Sequence, residues 1–328
     1  MFVNAMTTTC RFLTVFALLT LTPRVYAAFG LLPWNGFSLD SFQQIGPNII
    51  RVPFTLTGGL ITIQARVDSV EGNFFFDTGA SKLLLNKRYF GKQRPRSEAA
   101  RGVTGNVAVL GSLKVDTLRF DNFIKTKLQA DLVDFTHIEN GKKLALIGLI
   151  GASVFEDYEI LFDYEAALLV MVRTDGGGNP IEPLPSWEYK ACGSFPLKVV
   201  THVAMLYMEC GPKGGCWMGL DSGAEQNMLS HATPNKFLKA NFEIRRRIKL
   251  KGAGQESLEV LSGMLLNAHL DTFLFKPMAT LLTKMGTINA AYEAQLDGVL
   301  GYEFLSQRLM SVNLKKRKLT FYVRILPP

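Results

Sequence analysis

Two stretches of the chain repeat one another at a constant offset of 150 residues. Residues 146–155 run Leu-Ile-Gly-Leu-Ile-Gly-Ala-Ser-Val-Phe, and residues 296–305 run Leu-Asp-Gly-Val-Leu-Gly-Tyr-Glu-Phe-Leu. Each continues through an apolar, strand-like segment to a polar turn, at 165–167 and at 315–318. An internal repeat constrains a fold more than any single motif, because the repeated unit must be built twice. We therefore expect two similar halves.

A second pair of matching segments lies upstream of the first. Residues 74–80 run Phe-Phe-Phe-Asp-Thr-Gly-Ala, and residues 217–224 run Trp-Met-Gly-Leu-Asp-Ser-Gly-Ala. Each is an apolar strand that leads into Asp-Thr/Ser-Gly-Ala, and each follows a predicted hairpin. From the aspartate to the later glycine there are 74 residues in the first half and 80 in the second. The two halves thus carry the same parts in the same order.

A Gly- and Pro-rich connector separates the halves at residues 174–186. We predict an N-terminal lobe at 45–173 and a C-terminal lobe at 187–328. Strand signals dominate both, so the predicted fold class is mainly β: two similar β-barrel-like lobes with pseudo-twofold symmetry. Short helices are expected after each later glycine of the repeat and within residues 231–243, where a proline stands in the first turn. The hydrophobic share of 48% and the charged share of 20% exclude a disordered, collagen-like or coiled-coil chain.

The N-terminus has the features of a secretory signal. Arg11 precedes an apolar run at 12–21, and residues 25–27 offer a signal-peptidase site. The run is shorter than the ~20 residues that a transmembrane helix needs. We predict a signal peptide at 1–27 and an N-terminal segment at 28–44. The mature protein is expected to be exported, to the periplasm or out of the cell, without an integral membrane span; an uncleaved anchor is the alternative interpretation.

Three cysteines remain after removal of the predicted signal, which contains Cys10. Cys210 and Cys216 flank Gly-Pro-Lys-Gly-Gly, and two strands that meet at this turn would bring the sulfurs within reach. We therefore predict a disulfide between Cys210 and Cys216 and a free thiol at Cys192. A metal site fits this spacing less well, because no pair of histidines completes a zinc-type ligand set.

The paired Asp-Thr/Ser-Gly-Ala segments carry the chemistry. A single copy is explained by a turn in which the aspartate caps the backbone, but two copies at equivalent places in a repeat are not. They resemble the motifs of aspartic proteases, the group of pepsin-like and retropepsin-like enzymes, over nearly all of the predicted mature chain. The segments that carry the resemblance are Asp77-Thr78-Gly79-Ala80-Ser81, Asp221-Ser222-Gly223-Ala224, Leu149-Ile150-Gly151 and Val299-Leu300-Gly301. The alanine after each Asp-Thr/Ser-Gly is closer to the retropepsin-like branch.

The resemblance implies an acid-protease fold and an aspartic endopeptidase that acts on peptides or proteins as a monomer, since both lobes lie in one chain. It implies no cofactor, no metal and no nucleic-acid partner. Asp77 and Asp221 are the implied catalytic pair. The residues that would support the pair are Thr78, Gly79, Ser222 and Gly223, with the two hydroxyls reaching across to the opposite loop.

This chemistry has a physical reason that does not depend on the family. Two carboxyls about 3 Å apart cannot both ionise comfortably, so they share one proton. The ionised member can then take a proton from a bound water, while the protonated member donates to the carbonyl oxygen of a peptide bond. Pseudo-twofold symmetry is a simple way to bring two such loops face to face.

The family also has a β-hairpin flap over its cleft. The implied candidate is Gly102, Val103, Thr104 and Gly105, with residues 251–255 as its counterpart in the second lobe; an ordinary hairpin tip explains either stretch equally well. Glu225 stands where the first lobe has Ser81. This third carboxylate either raises the pKa values of the pair or points to solvent.

Two rival functions stay open. One is a catalytically silent bilobed binding module of the cell envelope, and the other is an envelope protein whose basic surface docks on anionic lipid. The net charge of +8 is weak evidence for such docking, because short basic runs are usually solvated turns. The scattered histidines, which we predict to be surface or packing residues, are His137, His202, His231 and His269.

Overall fold

The structure, a computed structural model, describes residues 47–91, 103–104, 107–186, 188–251 and 257–325. The predicted signal peptide at 1–27 and the predicted N-terminal segment at 28–44 lie outside these residues. Gly102 and Gly105 of the predicted flap lie outside them as well.

The described chain is mostly β-strand. The strands of the first half are β1 Ile49–Pro53, β2 Thr55–Thr57, β3 Leu60–Val67, β4 Val70–Phe76, β5 Leu83–Asn86, β6 Val103–Thr104, β7 Val107–Ala108, β8 Gly111–Phe120, β9 Phe123–Val133, β10 Leu146–Ile150, β11 Tyr158–Asp163 and β12 Leu168–Arg173. Those of the second half are β13 Tyr189–Pro196, β14 Lys198–Val200, β15 Val203–Cys210, β16 Gly215–Leu220, β17 Asn227–Ser230, β18 Phe242–Lys251, β19 Ser257–Leu265, β20 Ala268–Leu270, β21 Phe273–Leu274, β22 Met278–Thr283, β23 Gly298–Leu300, β24 Met310–Asn313 and β25 Lys318–Arg324. The α-helices are α1 Lys87–Phe90, α2 Thr136–Lys142, α3 Asn235–Asn241, α4 Gly286–Tyr292 and α5 Tyr302–Leu305.

The first lobe is a closed barrel. Its strands follow the order β2-β3-β4-β10-β5-β9-β8, and β3 also pairs with β8 at Arg66 and Val67, which closes the sheet on itself. Along β3, the side chains of Ile61, Ile63 and Ala65 are buried while the polar residues between Ile63 and Val67 are exposed. This two-residue alternation places one face of the strand inside the barrel.

The second lobe is a curled sheet with the same central arrangement. Its strands follow the order β18-β19-β22-β17-β23-β16-β15-β20-β21. The parallel pair of β16 with β23, and the antiparallel pair of β23 with β17, repeat the pairs of β4 with β10 and of β10 with β5. The predicted class, mainly β with two barrel-like lobes, is confirmed.

A six-stranded sheet joins the two lobes. Its order is β1-β12-β11-β24-β25-β13, with three strands from each half. The halves meet where β11 pairs with β24, for example Ile160 with Val312. The largest apolar cluster also contains residues of both halves, among them Phe76, Phe162 and Phe321. Sheet and core together fix how the lobes face each other.

The structure has helical segments at the three places where the sequence predicted them. The helix expected within 231–243 is α3, and the segments after Gly151 and Gly301 form a 3-10 turn at Ala152–Val154 and helix α5. Helices α2 and α4 were not expected. No helix in the described part of the chain is long and apolar enough to cross a bilayer.

The structure does not contain the predicted disulfide between Cys210 and Cys216, and both residues are free thiols in it. The register of β15 with β16 sets Cys216 opposite Met208, so Cys210 is its diagonal neighbour. Diagonal Cβ atoms in a sheet are roughly 7 Å apart, whereas a disulfide needs about 3.8 Å. Both thiols are buried, and burial raises the pKa of each to about 12. Cys192 is free and exposed.

Candidate functional site

Asp77 and Asp221 occupy equivalent places in their lobes. Asp77 directly follows β4, and its N–H donates to the carbonyl of Ile150 at 3.0 Å. Asp221 directly follows β16, and its N–H donates to the carbonyl of Leu300, also at 3.0 Å. In both lobes the strand before the aspartate runs parallel to the strand that carries the later repeat. The duplicated sequence is therefore a duplicated local structure.

Gly79 and Gly223 allow the two loops to touch. A Cβ atom on Gly79 would lie 2.5 Å from Cγ of Asp221, and one on Gly223 would lie 2.4 Å from Cγ of Asp77. Real Cβ atoms do not approach other atoms so closely, so any side chain here would push the loops apart. The structure thus brings the two carboxyl groups together between the lobes, where each aspartate is 1% exposed.

Thr78 and Ser222 hold the loops by reciprocal hydrogen bonds. The N–H of Thr78 donates to Oγ of Ser222 at 3.0 Å, and the N–H of Ser222 donates to Oγ1 of Thr78 at 3.0 Å. Each hydroxyl then donates to a carbonyl of the opposite strand, Ser222 to Phe76 at 2.9 Å and Thr78 to Leu220 at 3.3 Å. All four bonds cross between the lobes, so they fix the separation of the carboxyls.

The two carboxyls are strongly coupled. Oδ1 of Asp77 accepts the N–H groups of Gly79 at 2.8 Å and Ala80 at 3.0 Å, and Oδ1 of Asp221 accepts that of Gly223 at 2.7 Å. Burial raises the pKa of Asp77 well above its usual range, and the neighbouring carboxyl of Asp221 raises it further. Burial also raises the pKa of Asp221, against hydrogen bonds that lower it. Such a pair holds one shared proton over a wide pH range.

Tyr292, which the sequence analysis did not single out, also contacts the pair. Its hydroxyl donates to Oδ2 of Asp221 at 2.6 Å, and its side chain is 1% exposed. It ends α4, whose bounds repeat those of α2 at the same 150-residue offset. Extending the repeat upstream to the matching Ile138 and Ile288 would have located both helices and drawn attention to Tyr292.

Both helices are tied to the following strand in the same way. The side-chain oxygen of Asn289 accepts the N–H of Leu296 at 3.1 Å, and that of Glu139 accepts the N–H of Leu146 at 3.0 Å. Each helix is also followed by a residue with left-handed backbone, at φ 52° and 50°. The last residue of each helix is consequently held next to the aspartate loops.

Glu225 is buried and paired with Lys142 at the end of α2. Both side chains are 9% exposed. Burial raises the pKa of Glu225 to about 7, although the ammonium group of Lys142 lowers it. The structure thus contradicts the interpretation in which Glu225 points to solvent. The pair connects a helix of the first lobe to the aspartate loop of the second.

His202 is the histidine that contacts the site. Its Nε2 lies 2.9 Å from the carbonyl oxygen of Gly79, which can only accept, so this nitrogen is the donor. The ring stands edge-on to Tyr292, with centroids 6.3 Å apart. Burial lowers the pKa of His202, which favours the neutral ring. Its role here is one of packing across the two lobes.

The described part of the predicted flap is a hairpin. Val103 pairs antiparallel with Ala108, and Thr104 with Val107. In the second lobe, β18 and β19 form a longer hairpin. Its tip at 252–256, which includes most of the counterpart stretch, lies outside the described residues.

Within the described residues, no group of three or more His, Cys, Asp or Glu side chains is placed to hold a metal ion. A scan against protein-family models finds no match, and a search of curated proteins finds no significant similarity.

Proposed function

We propose that this protein is an exported aspartic endopeptidase in which Asp77 and Asp221 activate a water molecule. The observation that carries the proposal is the contact between two equivalent Asp-Thr/Ser-Gly loops, one from each half. Their carboxyls are 1% exposed, and the hydroxyls of Thr78 and Ser222 bridge the loops in both directions. A loop whose aspartate only capped its own turn would not need a contact with the equivalent loop of the other half.

The reaction follows from one shared proton. The ionised carboxylate removes a proton from water, and the water oxygen forms a bond to the carbonyl carbon of the peptide. At the same time the protonated carboxyl donates its proton to the carbonyl oxygen, which gives a tetrahedral diol. The first carboxyl then protonates the amide nitrogen, the C–N bond breaks, and a diol hydroxyl returns a proton to the second carboxyl. The pair ends as it began.

Burial supports this chemistry and also sets a condition on it. Within a water-poor site, charges and hydrogen bonds act more strongly on a developing oxyanion than they do in bulk water. Because each aspartate is 1% exposed, a peptide must displace a group that covers the pair before it reaches the carboxyls. Substrate binding is therefore expected to be coupled to a local opening.

The proposal is tested by cleavage of an unfolded protein over a range of pH, with and without a pepstatin-type inhibitor. Asp77→Asn and Asp221→Asn should each abolish turnover while far-ultraviolet circular dichroism stays unchanged. Asp116→Asn, at an exposed residue of β8, is the matched control and should retain full activity. Full activity in either variant of the pair would exclude the mechanism.

A second candidate function is a catalytically silent bilobed binding module. It is favoured by the same burial of Asp77 and Asp221, each of which is 1% exposed. Such a protein would bind unfolded peptides and leave them intact at every pH. Mass spectrometry of a peptide library after incubation separates the two functions, because only the peptidase generates new termini. The same digest reports side-chain preference on each side of any cleaved bond.

A further inference from the structure

The candidate pair is not symmetric, although the loops that carry it are. Oδ2 of Asp221 accepts the hydroxyl of Tyr292 at 2.6 Å, whereas no described residue donates to Oδ2 of Asp77. The equivalent residue at the end of α2 is Lys142, and it pairs with Glu225 instead. The repeat therefore provides a hydroxyl donor for one carboxyl and none for the other.

Resting on the proposed function, we propose that Tyr292 is a positioning residue that makes Asp221 the ionised member of the pair and leaves the shared proton on Asp77. A hydroxyl that donates to a carboxylate stabilises its ionised form. Asp221 would then take the proton from water, and Asp77 would donate to the carbonyl oxygen of the peptide.

The backbone does not explain this asymmetry. Two backbone N–H groups lower the pKa of each carboxyl, those of Gly79 and Ala80 for Asp77 and those of Gly223 and Gly79 for Asp221. The hydrogen bond between the two carboxyls lowers the pKa of Asp221 and raises that of Asp77, and it belongs to the pair. The tyrosine hydroxyl is the contribution from outside the pair that only Asp221 receives. Burial raises the pKa of Tyr292 well above its usual value, so the hydroxyl keeps its proton and remains a donor.

The position of Tyr292 is fixed from several sides. Its ring packs in a buried cluster with Met205, Ile288 and Val299, and His202 stands edge-on to it. The carbonyl of Tyr292 also lies 3.5 Å from the hydroxyl of Thr201. A side chain held in this way can orient a carboxylate without reorganising.

Other titratable groups also face Asp221. Asp77 approaches from the first lobe, His202 from the turn between β14 and β15, and Tyr164 from the turn between β11 and β12. Glu225 lies on the same loop as Asp221 and is paired with Lys142 at the end of α2. Tyr207 on β15 is exposed and is not one of these groups, which makes it a matched control for a tyrosine-to-phenylalanine change.

The test compares pH profiles of kcat and kcat/KM for the wild-type chain, Tyr292→Phe and Tyr207→Phe. In Tyr292→Phe we expect kcat to fall about tenfold with little change in KM. The acidic limb of the pH profile should move to higher pH by about one unit. The alkaline limb should stay in place, because it reports loss of the proton from Asp77. Tyr207→Phe should leave both limbs unchanged. An unmoved acidic limb in Tyr292→Phe, or a rise in kcat, would overturn the inference.

Two further measurements keep the test decisive. Fluorotyrosine at position 292 strengthens the donor, so it should move the acidic limb to lower pH even if Tyr292→Phe folds poorly. A carboxyl ¹³C NMR titration of the wild-type chain and Tyr292→Phe needs no turnover, and it should show the same upward shift of the first titration. A wild-type chain that never cleaves peptides would defeat the proposed function alone; an unshifted titration would defeat the role of Tyr292.

Discussion

At the residue scale, two positions in the site require the absence of a side chain. The missing Cβ atoms of Gly79 and Gly223 leave the space that the opposite carboxyls fill. This requirement is steric, since neither glycine has a positive φ. The hydroxyls of Thr78 and Ser222 then stabilise the contact between the loops that the glycines permit.

Replacing either glycine tests this steric requirement. Gly79→Ala and Gly223→Ala should each lower the free energy of unfolding by about 1–3 kcal/mol, because overpacking moves the loops apart. The proposed peptidase activity should fall as well, because the carboxyls lose their separation. Gly176→Ala, where a Cβ would meet nothing within 4 Å, is the control and should change neither quantity. Urea unfolding and peptide cleavage measure both effects.

The ion pair of Lys142 with Glu225 predicts a pH-dependent stability. The pKa of Glu225 is raised from 4.5 to about 7, so the folded state binds the proton more tightly than the unfolded state. Stability from this group is therefore present at low pH and is lost as pH rises through about 7. Removing Lys142 leaves the buried carboxylate of Glu225 unpaired, but only at pH values at which that carboxylate is ionised.

We expect Lys142→Met to lower the free energy of unfolding by about 3 kcal/mol at pH 8 and by much less at pH 5. Urea unfolding at the two pH values measures the difference. Lys87→Met removes the exposed pair with Asp134 and should cost below about 1 kcal/mol at both pH values. An equal loss at pH 5 and pH 8 for Lys142→Met would contradict the assignment of a buried, titrating Glu225.

At the scale of elements, equivalent pieces of the two halves have diverged in what they contact. Helices α2 and α4 have the same length and the same connection to the next strand, yet one ends in Lys142 and the other in Tyr292. The hairpins before the aspartates differ as well. Only the β15–β16 hairpin carries cysteines, and its register places them diagonally.

Thiol chemistry tests that register. Of the three cysteines in the described residues, Ellman's reagent should modify Cys192 alone in the native protein, since Cys210 and Cys216 are buried and their pKa values are raised to about 12. Denaturant should expose the other two thiols. An unreduced digest that contained a cross-linked peptide of Cys210 and Cys216 would contradict the structure.

At the scale of the whole molecule, the six-stranded sheet joins the two lobes. The carboxylate of Glu159 on β11 accepts hydrogen bonds from Ser311 and, at 2.9 Å, from Asn313 on the neighbouring β24. These residues belong to opposite halves, and all three are buried. Contacts of this kind stabilise both lobes at once.

We therefore expect a single calorimetric unfolding transition with equal calorimetric and van't Hoff enthalpies. Glu159→Ala should lower the midpoint of this transition without splitting the transition in two. The buried amide of Asn313 loses an acceptor, which should lower the free energy of unfolding by about 2 kcal/mol. Glu165→Ala, in the exposed turn after β11, is the control and should leave the midpoint unchanged. Two separated transitions in the wild-type chain would show that the lobes unfold independently.

Sequence alone determined the features that repeat. The 150-residue offset and the two Asp-Thr/Ser-Gly-Ala segments predicted two β lobes and the pair of loops, because alternation, turn residues and motif order are local properties of the chain. Only the tertiary structure decided the diagonal register of Cys210 and Cys216, the burial of Glu225 against Lys142, and the hydroxyl of Tyr292 on Asp221. Each of these depends on strand register or on contacts between distant segments, and a local pattern does not encode which side chains the lobes bring face to face.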